Sequence, residues 1–146
     1  MKKLICLNFL FISMIALNSC LIRYGGWDDN IHLSTRAVNF SSAGDSAIIK
    51  TKGTWWWVSE ISVDSTHYFN FKDINLESDH YTIKDACFFV ERRDKNTLFI
   101  KVDANPLSVK RIITVGLVAG DYFDRVTVTQ DTILLHGNSL STGSGN

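Results

Sequence analysis

Residues 109–130 decide the fold of this chain, and they read VKRIITVGLVAGDYFDRVTVTQ. Two runs rich in β-branched residues, 109–118 and 123–130, flank the turn-forming stretch 119–122. In the second run valines alternate with threonines, which is typical of a strand that buries one face. The stretch therefore predicts a β-hairpin.

The middle of the chain repeats this pattern of short strands and turns. Further β-type runs occupy residues 36–40, 46–51, 55–63, 86–92 and 97–103. The last two flank residues 93–96, which form a second hairpin signature. We find no window that combines helical periodicity with capping signals. The sequence predicts an all-β fold, an antiparallel β-sandwich of about seven to nine strands.

The first twenty residues read as an export signal. Lys2 and Lys3 precede an apolar run over residues 4–17, and the run ends at Leu17-Asn18-Ser19-Cys20. This ending resembles the lipobox of bacterial lipoproteins. The resemblance implies that residues 1–19 are removed and that Cys20 carries lipid, which would attach the protein to a membrane. An ordinary secretory cleavage is the alternative.

Charge and cysteine content narrow the function classes. The chain has 15 basic and 15 acidic residues, and two of the lysines lie in the signal, so the remainder is close to neutral. A basic face for nucleic acid is not visible, and no nucleic-acid partner is expected. Because Cys6 lies in the signal and Cys20 would be lipidated, Cys87 has no partner for a disulfide. We expect Cys87 to fill the core rather than to act as a catalytic thiol.

The chain divides into four segments. Residues 1–19 are the expected signal and 20–30 a tether that contains Gly25-Gly26. Residues 31–131 form the expected β-sandwich, and the Ser/Gly-rich residues 132–146 are expected to be a flexible tail.

An ordered set of residues resembles the Bacteroidetes-associated carbohydrate-binding often N-terminal (BACON) domain over about residues 31–131. The matching positions are Ser41-Ser42-Ala43-Gly44, Trp56-x-Val58, Asn105 followed by Arg111, and Gly120 leading to residues 126–130. The resemblance implies an immunoglobulin-like sandwich in exported proteins, with a proposed role in carbohydrate or mucin binding. It gives structural roles to Trp56, Val58, Phe88 and Arg111. We expect the Arg111 guanidinium to find an acceptor near Asn105 and to touch no ligand.

Two departures from the family are visible. Phe88-Phe89 stands where the family has a second tryptophan, and residues 64–85 are an insert. The insert carries several aromatic residues, among them Tyr68, so it could be an extra hairpin at a sheet edge or a ligand-binding loop. A helical turn within residues 73–78 is a further expectation.

Trp55-Trp56-Trp57 is the feature that suggests a ligand. Neighbouring residues of a strand face opposite sides, so Trp56 must oppose the other two. The family register turns Trp56 inward, whereas counting back from Ile61 gives the reverse unless a bulge intervenes. A ligand site is expected to use Trp55 and Trp57, together with Tyr68 of the insert, because exposed indoles match the apolar faces of sugar rings. The alternative is that the insert covers the outward ring.

Signals for catalysis and for metal or cofactor binding are weak. His32, His67, His80 and His136 show no metal-binding spacing, and no cofactor is expected. The acidic pairs Asp28-Asp29 and Glu77/Asp79 lie in polar stretches without the apolar surroundings that raise the pKa of a catalytic acid. We therefore expect no enzyme.

Two functional hypotheses remain. The first is a lipid-anchored cell-envelope module that binds carbohydrate or host glycoprotein. The second is a non-enzymatic structural or protein-interaction lipoprotein of the outer membrane. The sequence leaves open which face of that membrane the protein occupies.

Overall fold

The computed structural model describes residues 28–133, which form nine strands and no helix. The strands are β1 Ala37–Phe40, β2 Asp45–Lys50, β3 Trp57–Val63, β4 Thr66–Tyr68, β5 Tyr81–Asp85, β6 Phe88–Asp94, β7 Thr97–Val102, β8 Arg111–Ala119 and β9 Tyr122–Gln130. The expected signal, Cys20, most of the tether and residues 134–146 lie outside the described residues. Within residues 28–133 there is no helix that could cross a membrane.

The strands form two sheets that pack as an immunoglobulin-like sandwich. The five-stranded sheet has the order β1-β9-β8-β3-β4, and the four-stranded sheet has the order β2-β7-β6-β5. Both hairpins predicted from the sequence are confirmed, β8 with β9 and β6 with β7. Gly120 has a φ of 60° at the first position of the two-residue turn between β8 and β9, a conformation that favours glycine.

The structure corrects two details of the predicted topology. The sandwich is not wholly antiparallel, because β1 pairs with β9 in parallel. The insert does not form one hairpin of its own, because its strand β4 forms a hairpin with β3 at the edge of one sheet while β5 pairs with β6 at the edge of the other. The segment between β4 and β5 therefore crosses from one sheet to the other at the side of the sandwich. Residues 73–78 form turns and no helical turn.

The core lies between the sheets and is almost entirely apolar. Alternation along the strands turns one set of residues inward, among them Val58, Ile61, Val90, Ile113 and Val128, and each of these is fully buried. Cys87 is partly buried beside this core, and burial raises the pKa of its thiol. A raised pKa keeps the thiol protonated at neutral pH, which is the opposite of a reactive thiolate.

Buried polar residues close one end of the sandwich. The Arg111 guanidinium donates to Gln130 Oε1 at 3.1 Å and to the Asp103 carbonyl at 3.4 Å. Gln130 Nε2 donates to the same Asp103 carbonyl at 2.9 Å. The buried Asn105 side chain donates to the carbonyls of Val109 and Asp131. These bonds satisfy polar groups that burial would otherwise leave without partners.

Candidate functional site

A β-bulge decides which tryptophans face the solvent. The pairing of β3 with β8 shifts register between Val58 and Glu60, so Val58 and Ile61 both point inward although three positions separate them. Trp56 is 1% exposed, Trp55 is 83% exposed, and Trp57 is half-buried. The insert does not cover Trp55.

Polar contacts hold Trp56 in place. Its Nε1–H lies 3.0 Å from Thr51 Oγ1 and 3.0 Å from the Lys95 carbonyl oxygen. The Arg92 guanidinium lies over the indole, 4.6 Å from the ring centroid. We call Trp56, Thr51, Arg92 and the Lys95 carbonyl the Trp56 socket. A buried indole with its N–H satisfied fixes the chain on either side of it.

Arg92 joins the tryptophan loop to the insert. Its guanidinium donates to the Thr54 carbonyl at 2.8 Å and to the Ser78 carbonyl at 3.2 Å. Arg92 is 2% exposed, and its nearest carboxylate is that of Asp79, 3.5 Å away. The Nε–H is buried without a hydrogen-bond partner among the described residues.

The loop before Trp55 is held by the Asn96 side chain and by the close approach of Gly53 to Asn30. Asn96 Nδ2 lies within 3.3 Å of three successive carbonyls of this loop, those of Thr51, Lys52 and Gly53. A Cβ at Gly53 would stand 1.9 Å from the Asn30 carbonyl oxygen, so only glycine fits there. A loop that is already held in place loses little conformational entropy when a ligand binds to it.

Trp55 and Trp57, which we call the tryptophan platform, border a depression of about 580 Å³. The other lining residues are Trp56, Leu76, Glu77 and Arg92. The depression thus combines apolar indole surface with one carboxylate and one guanidinium. Apolar walls with a few polar groups are typical of small-molecule sites.

Tyr68 lies in a different place from the platform. It belongs to β4, and its ring meets Phe88 edge-on at a centroid distance of 5.6 Å. Both residues line a separate hollow of about 510 Å³ beside the insert. A hydrogen bond to Asp85 is the main cause that raises the pKa of Tyr68. The structure therefore brings Trp55 and Trp57 together but not Tyr68, while Phe88 is buried in the core.

Sequence reasoning missed Arg92 and Phe123. Arg92 continues the inward alternation of Phe88 and Val90 along β6, and an arginine at such a position was a usable signal. Phe123, on β9, is 72% exposed on an outward face, which the alternation of the hairpin indicates once its register is known.

The carboxylates named as catalytic alternatives have other partners. Burial would raise the pKa of Asp29, but hydrogen bonds from the His32 and Ile31 N–H groups and from Arg36 outweigh it and hold this pKa below its ordinary value. A general acid needs the opposite shift. Asp79 faces Arg92 and Lys95. Residues 28–133 contain no group of three or more side chains placed to hold a metal ion.

Comparison with known proteins supports the fold. The chain is similar to a protein from Bacteroides thetaiotaomicron solved by NMR, with a TM-score of 0.61 and 20% identity over 77% of this chain and 96% of that one. A Bacteroides ovatus GH5 xyloglucanase in complex with a XXXG heptasaccharide gives a TM-score of 0.45 and 21% identity over 70% of this chain, which spans 19% of that enzyme. No family model matches the chain. No curated protein matches it either.

Proposed function

We propose that this protein is a lipid-anchored, non-enzymatic binding module of the cell envelope that holds carbohydrate on its tryptophan platform. The residues that resemble the BACON domain motivated this hypothesis, and the geometry around Trp55 supports it. The bound group is a sugar ring, either of a free glycan or of a glycoprotein.

The exposure of Trp55 carries the proposal. Its indole is 83% exposed, although the loop that bears it is pinned by Asn96 and by the tight approach of Gly53 to Asn30. Large indoles usually bury most of their surface, so a rigid loop that presents one to water favours a binding role. The apolar C–H face of a sugar ring is a suitable partner for such a flat surface.

Polar groups beside the platform suit sugar hydroxyls. Glu77 offers an exposed acceptor in the depression, and a sugar hydroxyl can donate to it. The Arg92 guanidinium is buried and bonded to the Thr54 and Ser78 carbonyls, so it shapes the depression without presenting a free cation to a ligand.

The lipid anchor is the second part of the proposal. It rests on the lipobox-like residues 17–20. Cys20→Ala should move the protein from the membrane fraction to the soluble fraction, whereas Cys6→Ala should leave it with the membrane. If the Cys20→Ala protein remains with the membrane at the wild-type level, the anchor assignment is wrong.

Protein interaction through a sheet edge is the alternative function. The outer strands β1, β2, β4 and β5 have four, six, three and five residues. Short edge strands offer few free backbone groups to a partner strand. The observed geometry therefore favours the tryptophan platform over the edges.

A glycan microarray with the full chain in a non-glycosidic detergent tests the proposal. Trp55→Ala and Trp57→Ala should each weaken binding of a positive glycan by about 1 kcal/mol, because each removes one stacking ring. Tyr68→Ala is the matched control and should bind as wild type does, since Tyr68 lines a separate hollow. If no glycan binds, or if both tryptophan variants bind normally, the protein-interaction hypothesis replaces this one.

A further inference from the structure

The outward face of the five-stranded sheet carries a row of apolar side chains across three strands. Trp57 of β3 pairs with Val118 of β8, and Val118 pairs with Phe123 of β9. Paired residues point to the same side of a sheet. All three therefore lie on the outer face of the sheet. Their neighbours Val58 and Leu117 point to the other side, into the core.

The row holds two aromatic rings at a fixed separation. Val118 is 6% exposed although it is not part of the core cluster, whereas Phe123 is 72% exposed. The backbones of Trp57 and Phe123 lie two strand spacings apart, which is about 10 Å. This separation is close to the length of two hexose units in an extended chain. It is too large for a single sugar ring to stack on both rings at once.

A polar groove runs beside the row. The next pairs across the same strands bring together Glu60, Gly116 and Arg125. Gly116 has no side chain, and its neighbours pack closely there, since a Cβ at Gly116 would lie 3.3 Å from Ser59 Oγ. The groove has a volume of about 560 Å³, and Ser62, Thr114 and Phe123 also line it.

Charged side chains of both signs line this groove. Glu60 contacts His67 Nδ1, Arg125 stands on the other side of Gly116, and the second carboxylate, that of Asp124, is paired with Arg36. Two carboxylates, one guanidinium and the hydroxyls of Ser62 and Thr114 offer both donors and acceptors. This chemistry suits a neutral ligand that is rich in hydroxyl groups.

We propose that the outward face of the five-stranded sheet binds an extended, neutral oligosaccharide that crosses the strands, with one sugar ring stacked on Trp57 and another on Phe123. This inference rests on the proposed function and deepens it, because it makes the ligand a chain rather than a terminal sugar. The path is continuous with the tryptophan platform, since Trp57 belongs to both. Hydroxyls of the intervening units meet Glu60 and Arg125.

Isothermal titration with three ladders of oligosaccharides tests this inference. The probes are β-1,4-linked oligomers of glucose, mannose and xylose, each with two, four and six units, added to the full chain in a non-glycosidic detergent. At least one ladder should gain affinity steeply from the disaccharide to the tetrasaccharide or hexasaccharide. The disaccharide cannot reach from Trp57 to Phe123 with two stacked rings.

Phe123→Ala supplies the residue-level test. It should weaken binding of the longest oligomer about fivefold and leave the weak disaccharide binding unchanged. Ile48→Ala is the matched control, because Ile48 is also an exposed apolar residue, at 55%, but lies on β2 of the other sheet. That variant should bind as wild type does.

The outcomes separate this inference from the proposed function. Equal affinity for disaccharide and hexasaccharide, or normal hexasaccharide binding by Phe123→Ala, overturns the chain-length inference alone. Failure of all three ladders overturns it as well, even if the microarray finds a glycan of another kind. If no glycan binds in either the microarray or the titrations, both the proposed function and the chain-length inference are wrong.

Discussion

Trp55 and Trp56 are adjacent in the chain and have opposite environments. Trp56 is 1% exposed in a socket that satisfies its N–H, and Trp55 is 83% exposed on a pinned loop. The Trp56 socket contributes to stability through burial and hydrogen bonds. Trp55 contributes little to stability, because most of its surface stays in water.

Folding and binding depend on different side chains in this short stretch. Trp55 lies in a bend and Trp56 directly before β3, and only the Trp56 side chain enters the core. Trp55 can therefore be changed without removing the contacts of Trp56. Substitutions in the socket should lower the free energy of unfolding. Substitution of Trp55 should lower affinity and leave stability nearly unchanged, whereas Trp57 is half-buried and its substitution should also lower stability.

The largest expected effect is that of Trp56→Ala. Removing a fully buried indole should lower the free energy of unfolding by about 3–5 kcal/mol, because both apolar contacts and a cavity term are lost. Trp55→Ala should change the same quantity by less than about 0.5 kcal/mol. Urea unfolding followed by circular dichroism measures both. Equal losses of unfolding free energy in the two variants would show that Trp55 and Trp56 contribute equally to stability, which contradicts the assignment of Trp56 to the socket and Trp55 to the platform.

Arg92→Lys should produce the next largest loss. Lysine keeps the charge but cannot donate to the Thr54 and Ser78 carbonyls while lying flat on Trp56. We expect a loss of about 2 kcal/mol in the same unfolding experiment. Arg93→Lys is the matched control, since Arg93 is exposed on the same strand, and it should change stability by less than about 0.5 kcal/mol. If the Arg92→Lys variant is as stable as wild type, the Trp56 socket does not depend on this guanidinium.

Thr51→Val tests one hydrogen bond of the socket. The Thr51 hydroxyl accepts from Trp56 Nε1–H and donates to the Gly53 carbonyl at 2.7 Å. Its replacement by a methyl group should lower the free energy of unfolding by about 1 kcal/mol, because the Lys95 carbonyl still accepts a hydrogen bond from the indole N–H. Thr66→Val, at an exposed position of β4, is the control. The thermal midpoints of the two variants should differ, and identical midpoints would argue against this bond.

The smallest expected effect is the contribution of Asp29 to the pH dependence of the free energy of unfolding. Asp29 Oδ1 accepts from the Ile31 and His32 N–H groups, and the Ile31 carbonyl in turn accepts from the loop at Lys52 and Gly53. Because the folded-state pKa of Asp29 is lowered, its contribution is present above the unfolded pKa of about 3.9 and is lost as pH falls through the folded pKa.

Asp29→Asn should therefore make the acid loss of stability shallower. The expected difference is below about 1 kcal/mol, since the carboxylate is partly exposed. Urea unfolding at pH 6 and at pH 3 measures it, with Asp28→Asn as the control. A slope as steep as that of wild type would show that Asp29 does not hold this segment in a pH-dependent way.

Regular alternation made much of the fold predictable from the sequence, and irregular backbone made the rest unpredictable. Both hairpins follow from β-branched runs around turn residues. The orientation of the tryptophans could not be derived, because it depends on the bulge between Val58 and Glu60, which leaves no mark in composition. The insert could not be placed, since β4 and β5 join different sheets. The parallel pairing of β1 depends on long-range contacts that local pattern does not encode.

The candidate site was predictable only in part. The tryptophan triplet was visible as a cluster of large apolar side chains, which identifies a platform but not its partners. Tyr68 shares the aromatic chemistry, yet its position in β4 takes it to another hollow. Arg92 enters the site from the opposite sheet, so the sequence separates it from Trp55 by many residues.

The most direct test of the account is an NMR titration of the indole N–H resonances of the full chain with glycans from the panel. Single tryptophan substitutions assign the signals. We predict that a binding glycan shifts the Trp55 and Trp57 resonances and leaves that of Trp56 in place, because its N–H is bonded to Thr51 and Lys95. If a bound glycan leaves the Trp55 and Trp57 resonances unshifted, or if no glycan of the panel shifts either one, carbohydrate does not bind on the tryptophan platform.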